Sequence, residues 1–201
     1  AGPRALDRLG EAVNSLGFSR VLLVCDPYFV QAGHVDSVTD ILAGTGSTVT
    51  VYSDVTGEPD TVMVERGLER FRAGGCDGIV AIGGGSVLDT AKTIAVMATN
   101  DGSVLDFLDN DTVKNPPVPL VAIPTTSGTG SEATKVGVIT DAKTQTKLTG
   151  RSRYYMPAVA LLDPDLTVSM SPELTAATGV DALTHAVEAF VSRRANSFTD
   201  A

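Results

Sequence analysis

Two hydrophobic periods alternate along this chain, and the points where one gives way to the other mark its elements. After Pro3, Leu6, Leu9, Val13 and Leu16 recur at helical spacing, and Gly17 stands where a helix ends in a left-handed cap. From Arg20 to Cys25 runs a short, almost unbroken apolar stretch, the pattern of a strand covered on both faces. A helix over 35–42 and a strand over 48–52 follow. Asp60 then caps a helix whose core positions include Val64, Leu68 and Phe71. A strand at 78–82, a helix at 87–98 and a strand at 118–123 continue the series. Strand and helix in alternation predict an α/β fold, a parallel sheet with helices on both faces.

The pattern changes after Pro124. Residues 136–140 and 146–149 read as antiparallel strands around the turn Asp141-Ala142-Lys143, and 158–162 as one further strand. Asp163-Pro164 closes the α/β part, and everything from Ser171-Pro172 onward reads helical. The predicted organisation is an α/β domain over 1–165 and, from a boundary near Leu166, the start of a helical domain over 166–201.

Composition narrows the class. With 201 residues there is room for one α/β domain and the opening of a second. The net charge is −9 with no basic stripe, which argues against nucleic acid. No stretch has the length of a membrane span, and the start lacks the apolar core of a signal peptide. Nor does Ala1-Gly2-Pro3 look like a natural start, so a few preceding residues are expected. Cys25 and Cys76 sit in apolar or Gly-rich surroundings and are expected as packed thiols, not a disulfide, which suits a reducing cytoplasm.

Three segments carry candidate chemistry for a nucleotide. Ile82-Gly83-Gly84-Gly85-Ser86 joins a buried strand to a helix, with Ser86 available as N-cap. Bare backbone and free helix N–H groups suit a pyrophosphate, although a plain tight turn explains the glycines equally well. The spacing is neither the dinucleotide fingerprint nor a P-loop. The run 123–134 is rich in Gly, Ser and Thr, a set of uncharged hydrogen-bonding groups directly after a buried strand; alone it also reads as a linker. Asp26, just past the first strand, suits the two ribose hydroxyls of an adenosine and would repel a 2′-phosphate. Capping a turn before Pro27 is the alternative.

A fourth segment suggests a metal. Asp181 and His185 are four apart on a helix, so one turn presents a carboxylate and an imidazole on the same face. The helix is apolar around much of its girth (Val180, Leu183, Val187, Phe190), which predicts that the pair points inward. Two ligands are fewer than a catalytic metal needs, and the alternative is an exposed pair or a satisfied buried histidine.

Taken together, Gly83–Lys92, Pro124–Glu132 and Gly179–Glu188 resemble the iron-containing (group III) alcohol dehydrogenase family, in the family's order and over essentially the whole chain. The chain is expected to be the first part of a family member. The resemblance implies an N-terminal Rossmann-like NAD(P) domain, a C-terminal all-helical metal domain and an active site in the cleft between them. It implies that Gly84, Gly85 and Ser86 hold the pyrophosphate and that Thr125, Thr126 and Thr129 contact the nucleotide. Lys147 would lie near the nicotinamide ribose, Asp26 at the adenosine, and Asp181 and His185 would be two of four metal ligands. The metal would be Fe²⁺ or Zn²⁺, acting through Asp181 and His185 on a small alcohol or aldehyde. Glu58 departs from the Asn often found there. The expected activity is NAD-linked primary alcohol oxidation or aldehyde reduction by a homo-oligomer, with the 201-residue chain alone inactive. A hydroxyacid–oxoacid transhydrogenase of the same family and a non-catalytic nucleotide-binding fragment are the rival readings.

Overall fold

The computed structural model describes residues 1–108 and 112–199. Its centre is a five-stranded parallel sheet built from β1 (Arg20–Val24), β2 (Thr48–Tyr52), β3 (Gly78–Gly83), β4 (Leu120–Pro124) and β7 (Val159–Ala160), in the order β2-β1-β3-β4-β7. The remaining strands, β5 (Val136–Asp141) and β6 (Thr146–Arg151), form an antiparallel hairpin, as their sequence pattern predicts.

Both sheet faces are covered, which is why residues 21–24, 79–82 and 120–123 of the central strands are all apolar. Alternate residues serve opposite cores. Leu22, Val24, Ile79, Ala81, Leu120 and Ala122 pack with residues of α4 (Thr61–Ala73) and α5 (Gly85–Met97). Val21, Leu23, Val80, Ile82, Val121 and Ile123 pack instead with α1 (Leu9–Leu16) and α3 (His34–Gly44). Gly17 ends α1 at φ 74°, its N–H reaching back to Val13 O at 3.1 Å.

Four details differ from the sequence pattern. The first helix opens as a 3-10 turn at Ala5–Arg8 before α1. A short helix, α2 (Pro27–Gln31), follows β1, because the Asp26 carboxylate accepts from Phe29 N at 2.9 Å and Pro27 pre-sets the first helical φ. β7 is shorter than expected because this edge strand has one partner and ends ahead of the Asp163 turn. That carboxylate accepts from Arg4 N (3.2 Å), Leu6 N (3.0 Å) and Asp165 N (3.1 Å). Ser86 is not the N-cap of α5: the chain turns at Gly84, and the first helical bond runs from Leu88 N to Gly84 O at 3.1 Å.

α6 (Pro172–Val191) begins after the Ser171 cap, and among the described residues none of its own is buried. Val180, Leu183, Val187 and Phe190 are all exposed. Its first half lies close to the loop after β4: a Cβ placed on Gly128 would stand 2.2 Å from Thr178 O. Among the described residues no helix is long and apolar enough to cross a membrane. Cys25 and Cys76 are free and buried.

Candidate active-site cleft

In this sheet the chain moves outward from β1 to β2, then crosses back to lay β3 on the other side of β1. The connections leaving β1 and β3 therefore diverge to opposite faces, and a crevice opens between their carboxyl ends. Asp26 stands at the end of β1 and the glycine turn at the end of β3. The hydroxyl-rich loop leaves the neighbouring β4, its start tied down by Thr125 N donating to Gly83 O at 3.0 Å.

Two cavities meet at this edge. The larger, about 660 Å³, is lined by Asp26, Gly84, Thr125 and Thr126 together with Leu174 and Thr178 from the start of α6. The second, about 530 Å³, is lined by Asp89, Ser131, Lys147, Asp181 and His185. Gly85, Ser86 and Thr129 belong to both linings and form the ridge between them. All ten residues named from sequence thus face one continuous cleft.

Each position has a local cause. The first N–H groups of α5, at Gly85, Ser86 and Val87, precede the first helical bond and are left for a ligand. A buried 13-residue helix behind them adds the positive end of its dipole. The absence of side chains matters here: a Cβ on Gly85 would lie 2.9 Å from Thr129 Cγ2, and one on Gly84 3.3 Å from Thr126 Cγ2. The glycines of the turn therefore lie close against the Thr126 and Thr129 side chains of the loop, in a space that an added side chain would fill.

Asp26 is the cap that its sequence position allows, and it also lines the cleft. One carboxylate oxygen caps α2, while the residue remains on the wall of the larger cavity. Beside it, burial, with the Asp26 charge adding to it, pushes the Cys25 thiol up to about 12, so that thiol stays protonated. Lys147, on β6, forms an exposed ion pair with Glu58 at 2.8 Å. The residue that departs from the family pattern is thus the partner of a cleft lysine.

Asp181 and His185 face the α/β domain across the cleft, yet their side chains stay 44% and 55% exposed. The expected burial is absent because α6 lays only one edge against the loops. His185 Nε2 and Asp181 Oδ1 are 3.8 Å apart. Two ligand atoms of one divalent ion, each at about 2.0–2.2 Å, stand roughly 3.0–3.5 Å apart, so a small side-chain rotation brings this pair onto one ion. Two ligands fit half of a four-coordinate shell, and among the described residues no cluster of three or more His, Cys, Asp or Glu completes one.

Asp89 and Ser131, which also line the smaller cavity, are not evident from motif reading alone. The available signal was Asp89 and Lys92 on an otherwise uncharged helix, since buried charges of that kind must be partnered.

A doubly wound sheet with a glycine turn and a hydroxyl-rich loop at its switch point is an architecture in which α/β proteins hold dinucleotides. Comparison with known proteins agrees and goes further. The profile of the iron-containing alcohol dehydrogenases matches residues 1–164, and that of the C-terminal part of the Fe-containing alcohol dehydrogenase family matches residues 175–201. The chain belongs to the iron-containing alcohol dehydrogenase family. It is 45% identical over 199 residues to long-chain-alcohol dehydrogenase 1 of Geobacillus thermodenitrificans, covering 98% of this chain and 50% of that protein. Over 202 residues it is 42% identical to 1,3-propanediol dehydrogenase of Citrobacter freundii, covering 100% of this chain and 52% of the relative. Its structure superposes on that of a 1,3-propanediol oxidoreductase with a TM-score of 0.95 at 41% identity, over 99% of this chain and 52% of the other. It likewise matches sulfoacetaldehyde reductase from Bifidobacterium kashiwanohense, solved in complex with NAD+, with a TM-score of 0.89 at 34% identity, over 96% of this chain and 51% of that one. The chain spans about half the length of these relatives.

Proposed function

We propose that the whole protein is an NAD-linked, metal-dependent alcohol dehydrogenase that interconverts a small primary alcohol and its aldehyde. In this reading residues 1–165 form the NAD-binding domain and residues 166–201 open the helical metal and substrate domain. The observation that carries the proposal is the shared ridge of Gly85, Ser86 and Thr129, with a carboxylate on one side and an Asp–His pair on the other. That arrangement suits an extended dinucleotide with its phosphates at the ridge, its adenosine toward Asp26 and its nicotinamide toward Lys147 and His185.

The residues divide the work by their chemistry. Free N–H groups at Gly85 and Ser86 bind phosphate oxygens, and the hydroxyls of Thr125, Thr126 and Thr129 orient the nucleotide without adding charge. The Asp26 oxygen not needed for capping accepts from ribose hydroxyls. Lys147, a cation near the second cavity, orients the nicotinamide ribose once released from Glu58. Asp181 and His185 supply two ligands of the metal. Iron(II) or zinc held there provides a Lewis acid for the substrate oxygen, and NAD provides the hydride acceptor. Two free, buried thiols suit a reducing cytoplasm. The reading has the protein act there as a homo-oligomer, without nucleic acid or membrane.

The test is NADH formation by the full-length protein with a primary alcohol. His185→Ala is expected to remove bound metal and activity together while NAD still binds, since a lone carboxylate does not hold the ion. Full activity of His185→Ala, or of the wild type after exhaustive chelation, refutes the metal assignment.

A further inference from the structure

Helix α5 is buried along most of its length, yet it carries Asp89 and Lys92. The Lys92 side chain is completely enclosed: its ammonium donates to Val136 O at 2.8 Å and Thr134 Oγ1 at 3.1 Å, and it pairs in charge with Asp89 Oδ1 at 3.6 Å. Asp89 in turn accepts from Ser131 Oγ and, at 2.9 Å, from Val138 N. Burial holds the Lys92 ammonium below the ordinary lysine range, and the Asp89 charge offsets only part of that shift.

Ser131 passes this constraint onward. Its N–H donates to Thr129 Oγ1 at 3.3 Å, and the Thr129 side chain is the one that a Cβ on Gly85 would strike. On the other side, the strand held through Val138 pairs with β6, placing Lys147 opposite Thr140. One carboxylate on the helix behind the glycine turn is therefore tied to the hydroxyl loop and to the hairpin that carries Lys147.

We propose that Asp89 is a positioning residue for dinucleotide binding, which through Ser131 sets the 125–129 loop against the Gly84–Ser86 turn. The proposal rests on the reading of the cleft as a dinucleotide site. Asp89 touches no phosphate in this scheme; it orders the groups that do, so that NAD meets a preformed cradle.

The experiment is calorimetric titration of the full-length protein with NAD, for the wild type, Ser131→Ala, Asp89→Asn and the double variant, joined to amide hydrogen exchange. Each single variant is expected to bind NAD about tenfold more weakly, the scale of losing one hydrogen bond to a charged group. The double variant should lose no more, because both changes break the same link. Exchange should quicken across residues 125–131 and stay unchanged in β3 and β4, a local signature that general destabilisation does not produce. Should Asp89→Asn fail to fold because Lys92 is left without its counter-charge, Asp89→Asn/Lys92→Met replaces it, and Ser131→Ala keeps the ion pair intact. Unchanged NAD affinity in folded single variants, or losses that multiply, overturns the proposal alone. A full-length wild type that binds no NAD overturns the cleft reading together with it.

Discussion

Gly85 has two possible reasons to lack a side chain, and a pair of substitutions separates them. An added Cβ would lie 2.9 Å from Thr129 Cγ2 and 3.1 Å from its Oγ1. Carbon atoms prefer about 3.5–4.0 Å, so Gly85→Ala forces Thr129 back by roughly half an ångström or more. Overpacking of this kind costs about 1–3 kcal/mol, and the greater helix preference of alanine returns roughly 0.5–1 kcal/mol. The net loss of about 1–2 kcal/mol should lower the melting temperature by about 2–8 °C in a chain of this size. Thr129→Ser removes the methyl that is struck, so Gly85→Ala/Thr129→Ser should recover most of that loss. It should not recover NAD binding, because the new Cβ still stands over the N–H groups that a phosphate approaches. Thermal melts give the first quantity and calorimetric titration with NAD the second. The expected result is a melting temperature near that of Thr129→Ser and an NAD affinity down about tenfold or more. A double variant that binds NAD as tightly as Thr129→Ser alone refutes the phosphate argument and leaves the glycine as a packing requirement of Thr129.

Two further substitutions probe the β1 end of the cleft. Asp26→Ser keeps an N-cap oxygen for Phe29 N but removes the charge. It should therefore leave stability nearly intact and shift the NADP-to-NAD affinity ratio toward NADP by about 1–3 kcal/mol; an unchanged ratio reduces Asp26 to a cap. Cys25 ionises near 9.0 ordinarily and near 12 in the fold, so the folded state holds its proton longer. This stabilisation is complete below pH 9 and is lost as pH rises toward 12, by up to about 1.4 kcal/mol per pH unit. Tyr52, also pushed up to about 12 by burial, acts in the same direction. Cys25→Ala should flatten the fall in melting temperature between pH 9 and 10.5, and an equally steep fall shows that other groups govern it.

The elements of this protein follow from local chemistry and were legible in the chain. Continuous apolar runs can only be strands covered on both sides, and the runs at 21–24 and 79–82 are fully buried in β1 and β3. Gly17 ends its helix because a left-handed residue there has no Cβ to clash. The three motifs that resemble the dehydrogenase family were equally visible, since a glycine turn, a hydroxyl-rich loop and an i,i+4 Asp–His pair are contiguous patterns. Where sequence failed, the deciding interaction was long-range. Ser86 read as a cap, but the turn closes two residues earlier, where the backbone of Gly84 meets Thr126. Asp181 and His185 read as buried, but burial depends on what packs over α6, and among the described residues nothing covers it enough to bury any of its side chains. Glu58 and Lys147 are 89 positions apart in sequence and meet only because the hairpin folds over the cleft. Asp89 looks like an ordinary helical acid until Ser131 and Val138 N, far along the chain, converge on it. Periodicity determines which elements form and which faces they bury. Which polar groups meet across the switch point depends on strand order, which no local pattern encodes, and tertiary packing alone decided it.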